Sequence, residues 1–196
     1  MPSNGIKGNG QGNHGGAVIW VTGLAEAGKS TVSRELVRQF GQRGPLPVLL
    51  DGNEVRAALD MTSSFDRAGR IRAAMIYAKL CRMLAMEGHL VVMATISLFH
   101  QVQKWNRRHQ PHYLEVLLDV PLGELKRRDS KGIYSSFGDN EIVGVGQAAE
   151  FPVAPDLIIR NYGDIDPSSA AAEILRACEE KGVLAVRHGE PISITR

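Results

Sequence analysis

Gly23-Leu-Ala-Glu-Ala-Gly-Lys-Ser30 follows the apolar run Ala17-Val-Ile-Trp-Val-Thr22 and precedes a helical pattern over residues 31–42. Its spacing, G-x-x-x-x-G-K-[ST], is that of a phosphate-binding loop. A strand delivers such a loop, its backbone N–H groups curl around phosphate oxygens, and the next helix adds the positive end of its dipole. Lys29 can reach the β- and γ-phosphates of a nucleoside triphosphate, and the Ser30 hydroxyl can ligate Mg²⁺. The candidate donor site is therefore Gly23, Leu24, Ala25, Glu26, Ala27, Gly28, Lys29, Ser30 and the following Thr31. A glycine-rich stretch can match this spacing by chance, but a strand before it and a helix after it are the context the motif requires. Glu26 is out of keeping: it places an acid inside a loop built for anions.

The helix after the loop carries Val32, Leu36, Val37 and Phe40 on one face and ends near Gly41 or Gly44. Residues 46–50 read as a second strand with Pro47 near its start. Asp51 leaves the carboxyl end of that strand, where ligands bind in open α/β sheets. An amphipathic helix is expected over residues 67–87, stopped by Gly88, and a buried strand over 90–95. A helix over 101–109, a strand over 113–118 and a helix from Pro121 to Asp129 follow. Residues 130–155 are irregular and glycine-bearing, and long connections of that kind are usually lids. A fifth strand over 156–160 and a closing helix over 167–181 complete the pattern. Strands alternate with helices, so right-handed crossovers predict a three-layer α/β sandwich on a parallel five-stranded sheet. With the phosphate loop, that is the P-loop nucleoside triphosphate hydrolase fold.

A chain of 196 residues with 43% hydrophobic and 22% charged residues suits one globular domain. Residues 1–16 hold six glycines and three asparagines and are expected to be a disordered tail. The phosphate-loop domain spans 17–182, with the lid at about 130–155, and 183–196 form a C-terminal extension. A net charge of +2 is too small to argue for nucleic acid or membrane binding. No apolar run approaches the ~20 residues that span a bilayer, and the first residues lack the apolar core of a signal peptide. Cys81 and Cys178 make no disulfide framework, so a soluble cytoplasmic protein is expected. The six histidines form no metal-ligand spacing, and no zinc site is assigned.

A phosphate loop alone fits GTPases, ATPases, transporters and small-molecule kinases. No Asn-Lys-x-Asp guanine signature occurs, which argues against a GTPase, and the length is that of a nucleotide-type kinase. Asp51 falls where a catalytic base or a Mg²⁺-orienting carboxylate belongs; its alternative is a helix N-cap.

Asp51-Gly-x-x-Val-Arg56, Phe65-Asp-Arg67 followed by Ile71-Arg72, Ile96-Ser97, and Arg128-Asp-x-Lys-Gly-Ile-Tyr134 together resemble adenylylsulfate (APS) kinases, from about Ile19 to Ile159. The resemblance implies ATP-dependent phosphorylation of the ribose 3′-hydroxyl of a nucleotide, with Mg²⁺, in sulfate assimilation. It implies that Asp51 and Lys29 are catalytic, that Ser30 and Asp51 attend the metal, and that Arg128 packs on the adenine of ATP. Arg56, Arg67 and Arg72 would hold the acceptor's phosphosulfate-like group and Phe65 would stack on its base. Ser97 would line the same pocket, and Lys131, Gly132 and Ile133 would begin the lid. Arginine forks suit planar oxyanions, and an aromatic face suits any base. Taken singly, Arg56 and Arg72 read equally well as solvated helix faces, Phe65 as core, and Arg128 as a charge complementing a helix dipole. The family is often dimeric, so a homodimer is the assembly implied.

The departures gather on the acceptor side. Asn53 and Glu54 replace a usual Asp-Asn pair, and Asp66-Arg67-Ala68-Gly69-Arg70-Ile71-Arg72-Ala73 stands for Asp-Arg-x-Glu-Asn-Ile-Arg-Arg. Ser97-Leu98-Phe99-His100 stands for Ser-Pro-Tyr-Arg, and the lid is shorter after Tyr134. Ile96-Ser-Leu-Phe99 with Trp105-Asn-Arg107 resembles a branch of the family that phosphorylates cytidine diphosphoramidate; packing of a helix on the sheet is the other reading of Trp105. Adenylyl sulfate is the leading acceptor, a cytidine diphosphate-type nucleotide the alternative. A non-catalytic nucleotide-binding module is the reading from another class, prompted by Glu26 and the shortened lid.

Overall fold

All six residues of β1 (Ala17–Thr22) are buried, because both of its neighbours and both faces are occupied. The computed structural model describes residues 16–44, 46–61, 66–129, 132–136, 143–146 and 148–183. The further elements are α1 (Lys29–Gly41), β2 (Val48–Asp51), α2 (Gly52–Ala58), α3 (Arg67–Met86), β3 (Leu90–Ala94) and α4 (His100–His109). They continue with β4 (Tyr113–Asp119), α5 (Leu122–Arg128), α6 (Ile133–Ser136), β5 (Leu157–Arg160) and α7 (Pro167–Glu180). The strands form one parallel sheet in the order β2-β3-β1-β4-β5, as a three-layer α/β sandwich requires.

The pleat decides which residues meet which layer, since alternate side chains face opposite ways. Ile19 and Val21 join Val92, Val116 and Leu118 beneath α1 and α7, where Leu36, Phe40, Ile174 and Leu175 close the core. Val18, Trp20, Val91 and Met93 face α3 and α4. There α3 presents Ala73, Ala74, Ala78, Cys81 and Ala85, small side chains that let the helix lie close to the sheet. Each fully buried large apolar side chain contributes about 1.5–3 kcal/mol. No helix among the described residues is long and apolar enough to cross a membrane. Cys81 and Cys178 are free and buried, and burial pushes each thiol up to about 12.

Several boundaries move from their sequence expectations. The second strand spans Val48–Asp51 rather than 46–50, because Pro47 has no N–H for the ladder while Asp51 still pairs with Ala94. Pro121 is the N-cap of α5 rather than part of its first turn. The expected irregular stretch contains α6, whose start is capped by Asp129: Oδ1 accepts from Ile133 N at 2.6 Å and Oδ2 from Tyr134 N at 2.8 Å. Gly16, grouped with the tail by composition, is buried and donates its N–H to Ala85 O at 2.6 Å. Val183 likewise lies in the core, its N–H on Cys178 O at 2.9 Å. Residues 1–15 and 184–196 lie outside the described residues.

β1 is the strand at which the chain's winding reverses, with β2 and β3 on one side and β4 and β5 on the other. Open α/β sheets bind ligands in the crevice outside such a point. The phosphate loop follows β1 directly into that crevice.

Candidate active site

The loop leaves β1 at Gly23 and enters α1 through Gly28, whose φ of 86° is in the left-handed region. A Cβ at Gly28 would lie 2.6 Å from Asn161 Nδ2, so both the conformation and the space call for glycine. Glu26 adopts φ 58°, and its half-buried residue borders the cleft. The first turn of α1 has no acidic residue, leaving its N–H groups and dipole to an anion. Lys29 Nζ donates to Leu24 O at 2.6 Å, so the ammonium folds back over its own loop.

Asp51 ends β2 with 7% exposure, takes the N-cap place its sequence position allows and also borders the cleft. Its Oδ1 accepts from Asn53 N at 2.9 Å and caps α2. Its Oδ2 accepts the Ser30 hydroxyl, tying the carboxylate to the first turn of the phosphate-loop helix. A hydroxyl and a carboxylate oxygen together are the hard donors that Mg²⁺ takes alongside phosphate oxygens. Among the described residues, no group of three or more His, Cys, Asp or Glu is placed to hold a metal ion.

A cleft of about 720 Å³ joins these groups to residues from the exit of β3 and from α3. Of the residues singled out from sequence, Ala25, Glu26, Gly28, Lys29, Ser30, Thr31, Asp51, Arg56, Ser97 and Ile133 border it. Gly23, Leu24 and Ala27 carry the loop without bordering the cleft. Ser97 is 6% exposed and its hydroxyl lies 2.8 Å from that of Thr95. Gly132, with φ 65°, leads into α6. Phe65 and Lys131 lie outside the described residues.

The arginines divide differently from the sequence expectation. Arg72 is exposed on α3 and does not border the cleft. Arg67 pairs with Glu150, its guanidinium 5.8 Å from the centre of the Phe99 ring. Burial raises the Glu150 carboxyl, but the His100 N–H, 2.7 Å from Oε2, and Arg67 outweigh it and hold the group below its ordinary range. Gln103 Nε2 donates to Glu150 O at 2.7 Å, and Arg107 Nη2 to Ala154 O at 2.8 Å. The second half of the stretch expected to be a lid, residues 148–155, is thus bound to α4 through these contacts. Arg128 donates from Nε to Glu124 Oε1 at 2.7 Å, stapling the last turn of α5.

Arg70 borders the cleft in place of Arg67 and Arg72, together with Tyr77 and Phe99. Arg70 and Tyr77 are seven residues apart, two turns along one helix face. That spacing is present in the sequence, but a family pattern with a neutral residue at position 70 hides it. Tyr77 donates its hydroxyl to Gly52 O at 3.0 Å; burial raises its phenol, opposed by the neighbouring Arg56. Asn161 is the other residue that sequence reading missed: its Nδ2 donates to Ala27 O at 2.8 Å across 134 residues of chain. No local periodicity carries such a contact. Trp105 takes its packing reading, stacked on His109 at 4.6 Å and against the α3 cluster.

A family model described as adenylylsulphate kinase matches residues 15–160. The chain is 36% identical over 147 residues to the cytidine diphosphoramidate kinase of Campylobacter jejuni, covering 74% of this chain and 85% of that protein. It is 32% identical over 168 residues to the adenylyl-sulfate kinase of Pseudomonas aeruginosa, covering 83% and 85% respectively. Among solved structures it is similar to the Mycobacterium tuberculosis APS kinase in complex with AMPPNP and APS, at 29% identity and a TM-score of 0.76. That match covers 84% of this chain and 98% of the other.

Proposed function

The chain belongs to the adenylylsulphate kinase family, a family of phosphotransferases with a hydroxyl acceptor, and we propose that it transfers the γ-phosphate of ATP to the ribose 3′-hydroxyl of a nucleotide, adenylyl sulfate first. One observation carries this reading: the Asp51 carboxylate meets the Ser30 hydroxyl in the same cleft that Lys29, Arg56 and Arg70 border. Phosphoryl transfer needs positioning and charge neutralisation more than covalent help from the protein. Lys29 and the loop amides draw charge from the β- and γ-phosphates. Asp51 accepts the proton of the 3′-hydroxyl as the new O–P bond forms and the bond from the γ-phosphorus to the β,γ-bridging oxygen breaks, releasing ADP. Ser30 and Asp51 would hold Mg²⁺, which when bound supplies positive charge to the triphosphate. Arg128, at the end of α5, is the residue proposed to pack on the adenine.

Arg56 and Arg70 are proposed to hold the anionic group on the 5′ side of the acceptor. Arg67, held by Glu150, instead ties residues 148–151 to α3. Arg70→Ala is therefore expected to raise the acceptor KM about 10- to 100-fold, the worth of a hydrogen bond to a charged group. The ATP KM should stay within about twofold, as should both constants in Arg72→Ala. Steady-state kinetics on both variants check this, and an Arg72→Ala defect larger than that of Arg70→Ala would reverse the assignment.

A second acceptor, a cytidine diphosphate-type nucleotide, is favoured by the strand exit Ile96–Phe99. Leu98 is fully buried there and Phe99 turns to the cleft, and the Campylobacter relative acts, by its name, on cytidine diphosphoramidate. Coupled ADP release with each acceptor separates the two. Higher kcat/KM with adenylyl sulfate is the expected result. The reverse order would transfer the assignment to the cytidine compound, and no turnover of either would overturn both.

A further inference from the structure

A phosphate loop works only if its amide hydrogens, not its carbonyls, face the anion. In a planar trans peptide the carbonyl of one residue and the N–H of the next point in opposite directions. Fixing a carbonyl on the outer side of the loop therefore directs the following N–H inward. Two residues outside the motif bond to loop carbonyls. Asn161 Nδ2 donates to Ala27 O at 2.8 Å, and Tyr134 Oη donates to Ala25 O at 3.0 Å. The N–H groups that follow those carbonyls belong to Gly28 and Glu26, both with left-handed backbone. The intervening Ala27 N–H is used internally, on Leu24 O at 3.3 Å.

Both donors are themselves held. Asn161 is 6% exposed at the end of β5, and its backbone N–H is shared between Asp119 O at 3.2 Å and Ile159 O at 2.9 Å. Its amide leaves no room for a Cβ on Gly28. Tyr134 stands in the first turn of α6, its backbone N–H on Asp129 Oδ2 at 2.8 Å. Burial, with the charges of Glu26 and Asp129, raises its hydroxyl to about 12, so it remains a donor at neutral pH.

We propose that Asn161 and Tyr134 are positioning residues that turn the Gly28 and Glu26 amides toward the donor phosphates. Asn161 ties the loop to the far edge of the sheet, and Tyr134 ties it to the helix that starts the acceptor-side lid. The inference rests on the reading of this loop as the ATP site but not on the identity of the acceptor.

Equilibrium binding of ATP, and of AMP, which lacks the β- and γ-phosphates, to the full chain tests it. Asn161→Ala should weaken ATP binding about tenfold, the loss expected when charge-assisted hydrogen bonds are misdirected. AMP binding and the thermal midpoint should change little. Asn161→Asp, which faces the Ala27 carbonyl with an acceptor, should lose more. Tyr134→Phe keeps the ring and removes only the hydroxyl, so it decides the matter should Asn161→Ala fail to fold; a three- to tenfold loss is expected, within the span of one hydrogen bond. ATP affinity within about twofold of wild type in both variants, or equal losses for AMP and ATP, would overturn the proposal. A wild-type protein that binds ATP but phosphorylates no nucleotide would overturn the acceptor assignment and leave this inference standing. Failure of the wild type to bind ATP would overturn both.

Discussion

Lys29→Ala is expected to lower kcat by about 10³-fold, the scale on which losing one charged group at a transferring phosphoryl acts. The ammonium already lies over the loop, bonded to Leu24 O at 2.6 Å. A triphosphate in the loop presents a far stronger acceptor than one neutral carbonyl, and the charge on the γ-phosphoryl spreads further in the transition state. The fold should not suffer, because Lys29 begins α1 half-exposed and belongs to none of the buried clusters. The measurement is single-turnover transfer at saturating ATP, with the thermal midpoint recorded alongside. Turnover within tenfold of wild type would mean that this loop does not hold the donor.

Asp51→Asn has the second large effect and separates the two roles of one carboxylate. Asparagine caps helices as well as aspartate does: its Oδ1 can still accept from Asn53 N, while Nδ2, standing in the place of Oδ2, can donate to the Ser30 hydroxyl oxygen. The substitution thus keeps the local structure and removes the charge and the proton acceptor. A loss of about 10²- to 10⁴-fold in kcat is expected, the usual worth of a general base. The ATP dissociation constant without Mg²⁺ should hold or tighten, since a negative charge beside the triphosphate is gone. Asp51→Ala should add about 1 kcal/mol of lost stability from the missing cap. A kcat for Asp51→Asn within a few-fold of wild type would reduce Asp51 to that cap.

The donor half of this site was legible because its signals are local. The loop spacing, the apolar strand before it and the Leu36–Phe40 face after it all lie within some twenty-five residues. The place of Asp51 at the cleft was legible from strand position alone. The acceptor half depends on which side chains α3 turns inward, and three arginines on six consecutive positions cannot all share one face. Arg67 and Arg72 matched a family pattern, but Arg67 found Glu150, 83 residues away, and Arg70 took the cleft. Asn161 and Tyr134 were invisible as donors to the loop because sequence separations of 134 and 109 leave no periodic trace. The short helix at Ile133–Ser136 was missed because its start depends on the Asp129 carboxylate capping two amides, not on an apolar stripe.

The Ala25 carbonyl accepts from Tyr134, and Ile133 beside it borders the cleft. The phosphate loop and α6 therefore share a hydrogen bond, so displacement of α6 from its position is felt at Ala25.

The proposed reaction puts the new phosphate on a ribose 3′-hydroxyl. With γ-³²P-labelled ATP and adenylyl sulfate as acceptor, the label follows the transfer, and ³¹P NMR of the product isolated from a parallel unlabelled reaction assigns the position of the new phosphate. The expected result is one labelled product with its phosphomonoester on the 3′-carbon, formed by the wild type and lost in Lys29→Ala. Label released only as inorganic phosphate, or found on any other position of the nucleotide, would contradict it.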